Sequence, residues 1–132
     1  MPKPPAPASR PPRGVVVLVE DDPAVVESLR FALELDGYEV TAFPDAERLL
    51  DCSLPEAGAF LIVDVRLPGL NGLAAVQILR GRGVALPAVM ITTAPTAEMH
   101  RRADALNAPI IEKPLLSDEL LRAVHEALPT HH

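Results

Sequence analysis

Cysteine, aromatic residues and lysine are the scarce side chains of this 132-residue chain, and each scarcity excludes something. A single cysteine, Cys52, rules out an intramolecular disulfide and makes a reducing cytoplasmic compartment the expectation. Aromatics amount to 3% with no Trp, so the core has to be built from Val, Leu, Ile and Ala, the residues that line a buried parallel sheet. No apolar run approaches the roughly 20 residues that span a bilayer, and the N-terminus lacks the apolar stretch of a signal peptide. Lysine occurs only at Lys3 and Lys113, and arginine carries the remaining positive charge.

With 48% hydrophobic and 23% charged residues, the chain suits one domain with a single core. The net charge is −6, but Lys3, Arg10 and Arg13 give the first thirteen residues +3, which leaves −9 for the rest. An acidic body argues against nucleic-acid binding by this domain. Six of the fifteen prolines fall within Met1 to Pro12, a density that removes backbone donors. Residues 1–13 are therefore expected to be a disordered leader, 14–129 the domain, and 130–132 a short tail whose two histidines are weak evidence for metal.

Five short apolar runs predict strands at Val15–Val19, Tyr38–Ala42, Phe60–Val63, Ala88–Ile91 and Ile110–Ile111. Helical spacing fills the gaps: Val26, Leu29 and Leu33; about Asp45–Leu50; about Gly72–Arg80; Met99, Ala103 and Leu106; and Leu120, Leu121, Val124 and Leu128. Asp22-Pro23 and Ser117-Asp118-Glu119 open helices, and Gly37 and Asn107 close them. Strands joined by single helices need right-handed crossovers, so the expected fold is an α/β doubly wound (βα)5 domain with a five-stranded parallel sheet and helices on both faces.

In such sheets the functional site lies beyond the carboxyl ends of the strands. Those ends are unusually polar here: Glu20-Asp21-Asp22, Asp64, Thr92-Thr93, and Glu112-Lys113-Pro114. Carboxylates crowded together either rise in pKa or share a hard cation, and Mg2+ fits an oxygen-rich set. Lys113, the one lysine of the folded part, suits a phosphoryl oxygen. Read singly, each residue has a plainer explanation, and Asp22 before Pro23 is better read as a helix cap than as a metal ligand.

Taken together, Val17-Leu18-Val19-Glu20-Asp21-Asp22, the stretch from Asp64 through Arg66-Leu67-Pro68-Gly69 to Gly72, Met90-Ile91-Thr92 and Glu112-Lys113-Pro114 resemble the motifs of response-regulator receiver domains of two-component systems. The resemblance covers about residues 14–128 and implies a sheet order of 2-1-3-4-5. It implies that Asp64 accepts a phosphoryl group from the phosphohistidine of a sensor histidine kinase or phosphotransfer protein. Asp21, Asp64 and the Arg66 backbone carbonyl would ligate Mg2+, with Glu20 acting mainly through water on the metal. Thr92 and Lys113 would each bind a phosphoryl oxygen, so the domain would catalyse its own phosphoryl transfer and dephosphorylation and signal by conformational change. A homodimer is a possible partner arrangement, and no membrane is implied.

Two positions depart from the family pattern. The residue three before the strand-five lysine is usually Tyr or Phe and here is Ile110, so the aromatic rotamer switch is absent. The residue after Thr92 is usually small and here is Thr93, which bears on phosphodonor access, while Arg66 could tune hydrolysis. Among rivals, a flavodoxin-like cofactor site needs a neutral loop after strand one, and a haloacid-dehalogenase-type phosphatase needs an Asp where Arg66 stands. The remaining alternative is a phosphorylation-independent interaction module on the same fold.

Overall fold

The computed structural model describes residues 12–115 and 118–128. The leader, apart from its last two residues, Ser117 of the fifth helix signal and the 130–132 tail lie outside them. Ten elements alternate: β1 (Val15–Val19), α1 (Pro23–Leu35), β2 (Glu39–Phe43), α2 (Ala46–Asp51), β3 (Ala59–Asp64), α3 (Gly72–Gly81), β4 (Ala88–Thr92), α4 (Ala97–Ala105), β5 (Ile110–Glu112) and α5 (Glu119–Ala127). The strands form one parallel sheet in the order β2-β1-β3-β4-β5.

The period-two alternation of each strand divides the core in two. Val17, Val19, Leu61, Val63 and Met90 pack with Leu49 of α2, Leu73, Val76 and Leu79 of α3 and Ala103 of α4. Val16, Leu18, Phe60, Ile62 and Ile91 face the other way, onto Leu29 and Leu33 of α1 and Leu120 and Val124 of α5. All six residues of β3 are buried, which is why its sequence reads as one continuous apolar run ended by Asp64 rather than as an alternation.

Polar caps set where the helices begin. Asp22 accepts from the Ala24 N–H at 2.9 Å with Pro23 opening the first turn. Asp45, Asn71 and Thr96 accept from Arg48, Ala74 and Met99 in the same manner. Asp118 makes no side-chain cap of α5. Gly37 and Asn107 both adopt positive φ, 95° and 55°, as helix-ending residues do.

The boundaries move by a residue for identifiable reasons. β2 begins at Glu39, not Tyr38, because the Tyr38 N–H is spent on Leu33 O at the end of α1. α2 begins at Ala46 because Asp45 is its cap rather than its first residue. β3, β4 and β5 each run one residue further at their C-terminal ends, so that Asp64, Thr92 and Glu112 complete the strands.

At the amino ends of β4 and β5, Arg80 plays a part that no local sequence pattern announces. Its Nε donates to Leu106 O at 3.0 Å, Nη1 to Val84 O at 3.0 Å and Leu86 O at 2.7 Å, and Nη2 to Asn107 O at 3.4 Å. The guanidinium thereby stitches the end of α3 to the loops that feed β4 and β5. Replacement by Ala leaves several carbonyls short of a donor and is expected to cost about 2–4 kcal/mol, and Arg80→Lys to recover little of it, because one ammonium cannot span the fork. Urea unfolding midpoints with unchanged slope would register both; a lysine variant as stable as wild type would contradict the bridging role.

Candidate functional site at the carboxyl edge of the sheet

Register delivers the site. Val19 pairs with both Phe43 and Val63, Asp64 with Ile91, and Thr92 with Glu112, so the strands β1, β3, β4 and β5 end at one rim. The Lys113 N–H extends the ladder by donating to Thr92 O at 2.8 Å, which aims its side chain back across the sheet. Lys113 Nζ then lies 2.5 Å from Glu20 Oε1 and 2.8 Å from Asp64 Oδ2. One ammonium thus joins β5 to residues contributed by β1 and β3, on side chains that are otherwise almost wholly removed from water.

Glu20 and Asp64 are only 2% and 4% exposed. The second Glu20 oxygen accepts from the Asp21 and Asp22 N–H groups at 3.0 and 3.3 Å, and Asp64 Oδ1 accepts from the Arg66 N–H at 2.9 Å. Asp21 is exposed, yet one oxygen from each of Glu20, Asp21 and Asp64 lies within 4.8 Å of the others. Thr92 is fully buried and its Oγ1 has no hydrogen-bond partner among the described residues.

Burial and close charges act together on Glu20 and Lys113. Burial pushes the Glu20 carboxyl up from 4.5 to about 7, a rise that Lys113 opposes and Asp64 reinforces. Burial by itself would lower Lys113, but its hydrogen bonds to Asp64 and Glu20, together with their charges, hold the ammonium above its ordinary value. Chemically, the rim offers hard oxygen donors for a divalent cation, an ammonium, and a buried hydroxyl whose hydrogen-bonding capacity is unused.

Of the residues singled out in the sequence, Glu20, Asp21, Asp64, Thr92 and Lys113 come together here. Arg66 joins them through its backbone N–H, while its guanidinium lies on the Thr93 and Ala94 carbonyls. Asp22 caps α1. Thr93 is exposed and borders an apolar cleft of about 470 Å3 formed with Ala24, Val25 and Ser28 of α1, Lys113 and Pro114. Ile110 is half-buried against the core beneath α2, α3 and α4.

Two further contributors stand behind the site. Gly72 packs so closely under Asp64 that a Cβ there would fall 2.0 Å from the Asp64 carbonyl oxygen, and its N–H donates to Val65 O at 2.9 Å. Glu47, at the first turn of α2, accepts from the Leu70 N–H at 3.1 Å and holds the turn at Gly69; nothing in the local sequence points to that contact.

The comparisons with known proteins agree with the geometry. Residues 16–125 match the family model described as the response regulator receiver domain. The C4-dicarboxylate transport transcriptional regulatory protein DctD of Pseudomonas aeruginosa is 33% identical over 116 residues, covering 86% of this chain and 25% of DctD. The response regulator MprA of Mycobacterium tuberculosis is 36% identical over 115 residues, covering 86% of this chain and 50% of MprA. Among solved structures, the response regulator StyR superposes with a TM-score of 0.80 at 33% identity, over 87% of this chain and 59% of that one. The chain belongs to the response regulator receiver domain family of two-component signalling. It spans between a quarter and about half the length of the curated relatives named here. No helix among the described residues is long and apolar enough to cross a membrane.

Two outcomes follow from the packing and charge of this rim. Because the folded Glu20 pKa lies above its unfolded value, the folded protein retains a proton that the unfolded chain has lost between about pH 4.5 and 7, so stability falls as pH rises through that window. In metal-free buffer, the unfolding free energy of wild type is expected to drop by about 2 kcal/mol more than that of Glu20→Gln over the window. Parallel pH profiles would show that Glu20 is not the titrating group. Gly72→Ala is expected to lose at least about 3 kcal/mol by displacing the Asp64 peptide, measurable by thermal unfolding; a near-neutral effect would mean that the α3 start is free to shift.

Proposed function

We propose that Asp64 is the phosphoacceptor of this receiver domain and that residues 14–129 form the unit that carries the reaction. The observation that bears most weight is the buried Asp64 carboxylate, held by Lys113 Nζ on one oxygen and the Arg66 N–H on the other, on a rim that also carries the unpartnered Thr92 hydroxyl. A buried hydroxyl with no partner costs about 1–3 kcal/mol, a cost that a bound phosphoryl oxygen would offset.

Mg2+ fits the donor set, since Glu20, Asp21 and Asp64 supply hard oxygens close together. Asp21, Asp64 and the Arg66 carbonyl would hold the ion, with Glu20 behind them. When bound, it would supply charge to offset the carboxylates and the incoming phosphoryl oxygens.

In the transfer, an Asp64 carboxylate oxygen bonds to phosphorus as the P–N bond of a phosphohistidine breaks, and the imidazole leaves with the bonding pair. Lys113 balances one phosphoryl oxygen, at the expense of its contact with Glu20 or Asp64. Thr92 donates a hydrogen bond to another. Attack of water on phosphorus then returns Asp64 and inorganic phosphate, so the domain acts as its own phosphatase. The cleft beside Thr93 and α1 is open to the rim and gives the donor its approach. The partner this chemistry calls for is a cytoplasmic sensor histidine kinase or phosphotransfer protein, and the acidic body makes nucleic acid a poor partner for this domain.

Acetyl phosphate, as a small-molecule donor, tests the reading by intact mass. Wild type is expected to gain one phosphoryl group only with Mg2+, Asp64→Asn none, and Lys113→Ala to react on the order of tenfold more slowly or worse. Folded, Mg2+-binding protein that takes no phosphoryl group would instead favour a phosphorylation-independent interaction module.

A further inference from the structure

Arg66 touches the site twice. Its backbone N–H donates to Asp64 Oδ1 at 2.9 Å, and its guanidinium Nη2 donates to both Thr93 O and Ala94 O at 3.3 Å. The side chain therefore bridges the loop after β3 to the loop between β4 and α4. Its two acceptors there are neutral carbonyls at long range, in a solvent-exposed position, so the hold is modest.

The loop it holds is one that needs holding. Ala94 sits at φ 50°, in the left-handed region that an L-residue with a Cβ adopts only when its surroundings impose it. Two residues before it, Thr92 Oγ1 is buried with no partner among the described residues, so the strand end that leads into this loop has an unmet hydrogen bond. The guanidinium contact keeps the loop in its present position without satisfying that hydroxyl.

A phosphoryl group on Asp64 would change the competition for the guanidinium. Charge-assisted bonds from Arg to phosphate oxygens are about twice as strong as bonds to neutral acceptors, and Arg can engage phosphate with two parallel donors. Arg66 is tethered two residues from Asp64 and already packs on the same rim, whereas the half-buried aliphatic Ile110 offers no ring or hydroxyl to sense the change.

We propose that Arg66 is a latch that holds the β4–α4 loop through the Thr93 and Ala94 carbonyls and gives them up for a phosphoryl oxygen on Asp64. The inference rests on the reading of Asp64 as the acceptor. Arg66 positions the loop in the resting protein and binds the phosphoryl group in the charged one, and the freed loop carries the change outward through α4.

Carbonyl carbon chemical shifts of Thr93 and Ala94 report directly on what those oxygens accept. They are to be measured in wild type, Arg66→Ala and Arg66→Lys, before and during steady-state phosphorylation by acetyl phosphate and Mg2+, with occupancy read separately by intact mass. Resting Arg66→Ala is expected to show both carbonyls displaced toward the positions that wild type takes on phosphorylation, and to move little further when phosphorylated itself. Arg66→Lys, which keeps a cation on a long stem, is expected to restore part of the resting position. Coincident resting shifts in wild type and Arg66→Ala would overturn the latch, as would unmoved carbonyls in phosphorylated wild type. Wild type that gains no phosphoryl mass would overturn the acceptor reading itself and the exchange with it.

Discussion

Lys113 draws the carboxylates of the rim together: its ammonium lies between Glu20 and Asp64, which are 93 and 49 residues away in sequence. Without it, two buried carboxylates would face each other across the ends of adjacent strands, a placement that low-dielectric surroundings make very unfavourable. With it, the rim is tolerable, yet burial and the neighbouring Asp64 carboxylate still hold Glu20 well above its ordinary pKa despite a direct ion pair. A site built in this way, with two buried carboxylates sharing one ammonium, is suited to take up a cation. The fold provides the rigidity this requires, since β1, β3 and β4 are almost completely buried and cannot give way to the repulsion.

Much of this was readable in the chain itself. Apolar runs alternating with 3,4-spaced helices announced the five βα units, and the cap residues Asp22, Gly37 and Asn107 do what their chemistry suggests. The site was legible because each of its residues lies at or just past the end of a strand, so that position along an element stood in for position in space. Boundaries were legible to within a residue, and they slipped where a backbone N–H such as that of Tyr38 serves the preceding helix instead of the sheet. What the sequence did not reveal were long-range side-chain-to-backbone contacts: Arg80 on four carbonyls, Glu47 on the Leu70 N–H and Arg66 on the β4–α4 loop. An exposed or half-exposed Arg or Glu has no local signature for such a partner, because its target is a backbone atom that any residue would present.

The aliphatic residue at position 110 shows how composition constrains mechanism. With 3% aromatics and no Trp, this chain packs its sheet with branched aliphatics, and Ile110 fills the half-buried flank of β5 against the core. A side chain without a polar tip gains nothing from swinging into water, so this edge of the sheet is a fixed wall. Any rearrangement triggered at Asp64 has to run through polar contacts at the rim.

The fit of Gly72 beneath the Asp64 carbonyl adds a mechanical asymmetry. Backbone presses on backbone there, with the Gly72 N–H also tied to Val65, so Asp64 and the start of α3 behave as one body. On the other side of Asp64, the exposed Arg66 side chain reaches the Thr93 and Ala94 carbonyls of the β4–α4 loop. On the reading of Asp64 as the phosphoacceptor, the first junction would work as a stator and the β4–α4 loop as a rotor, with α3 as the frame against which that motion is made.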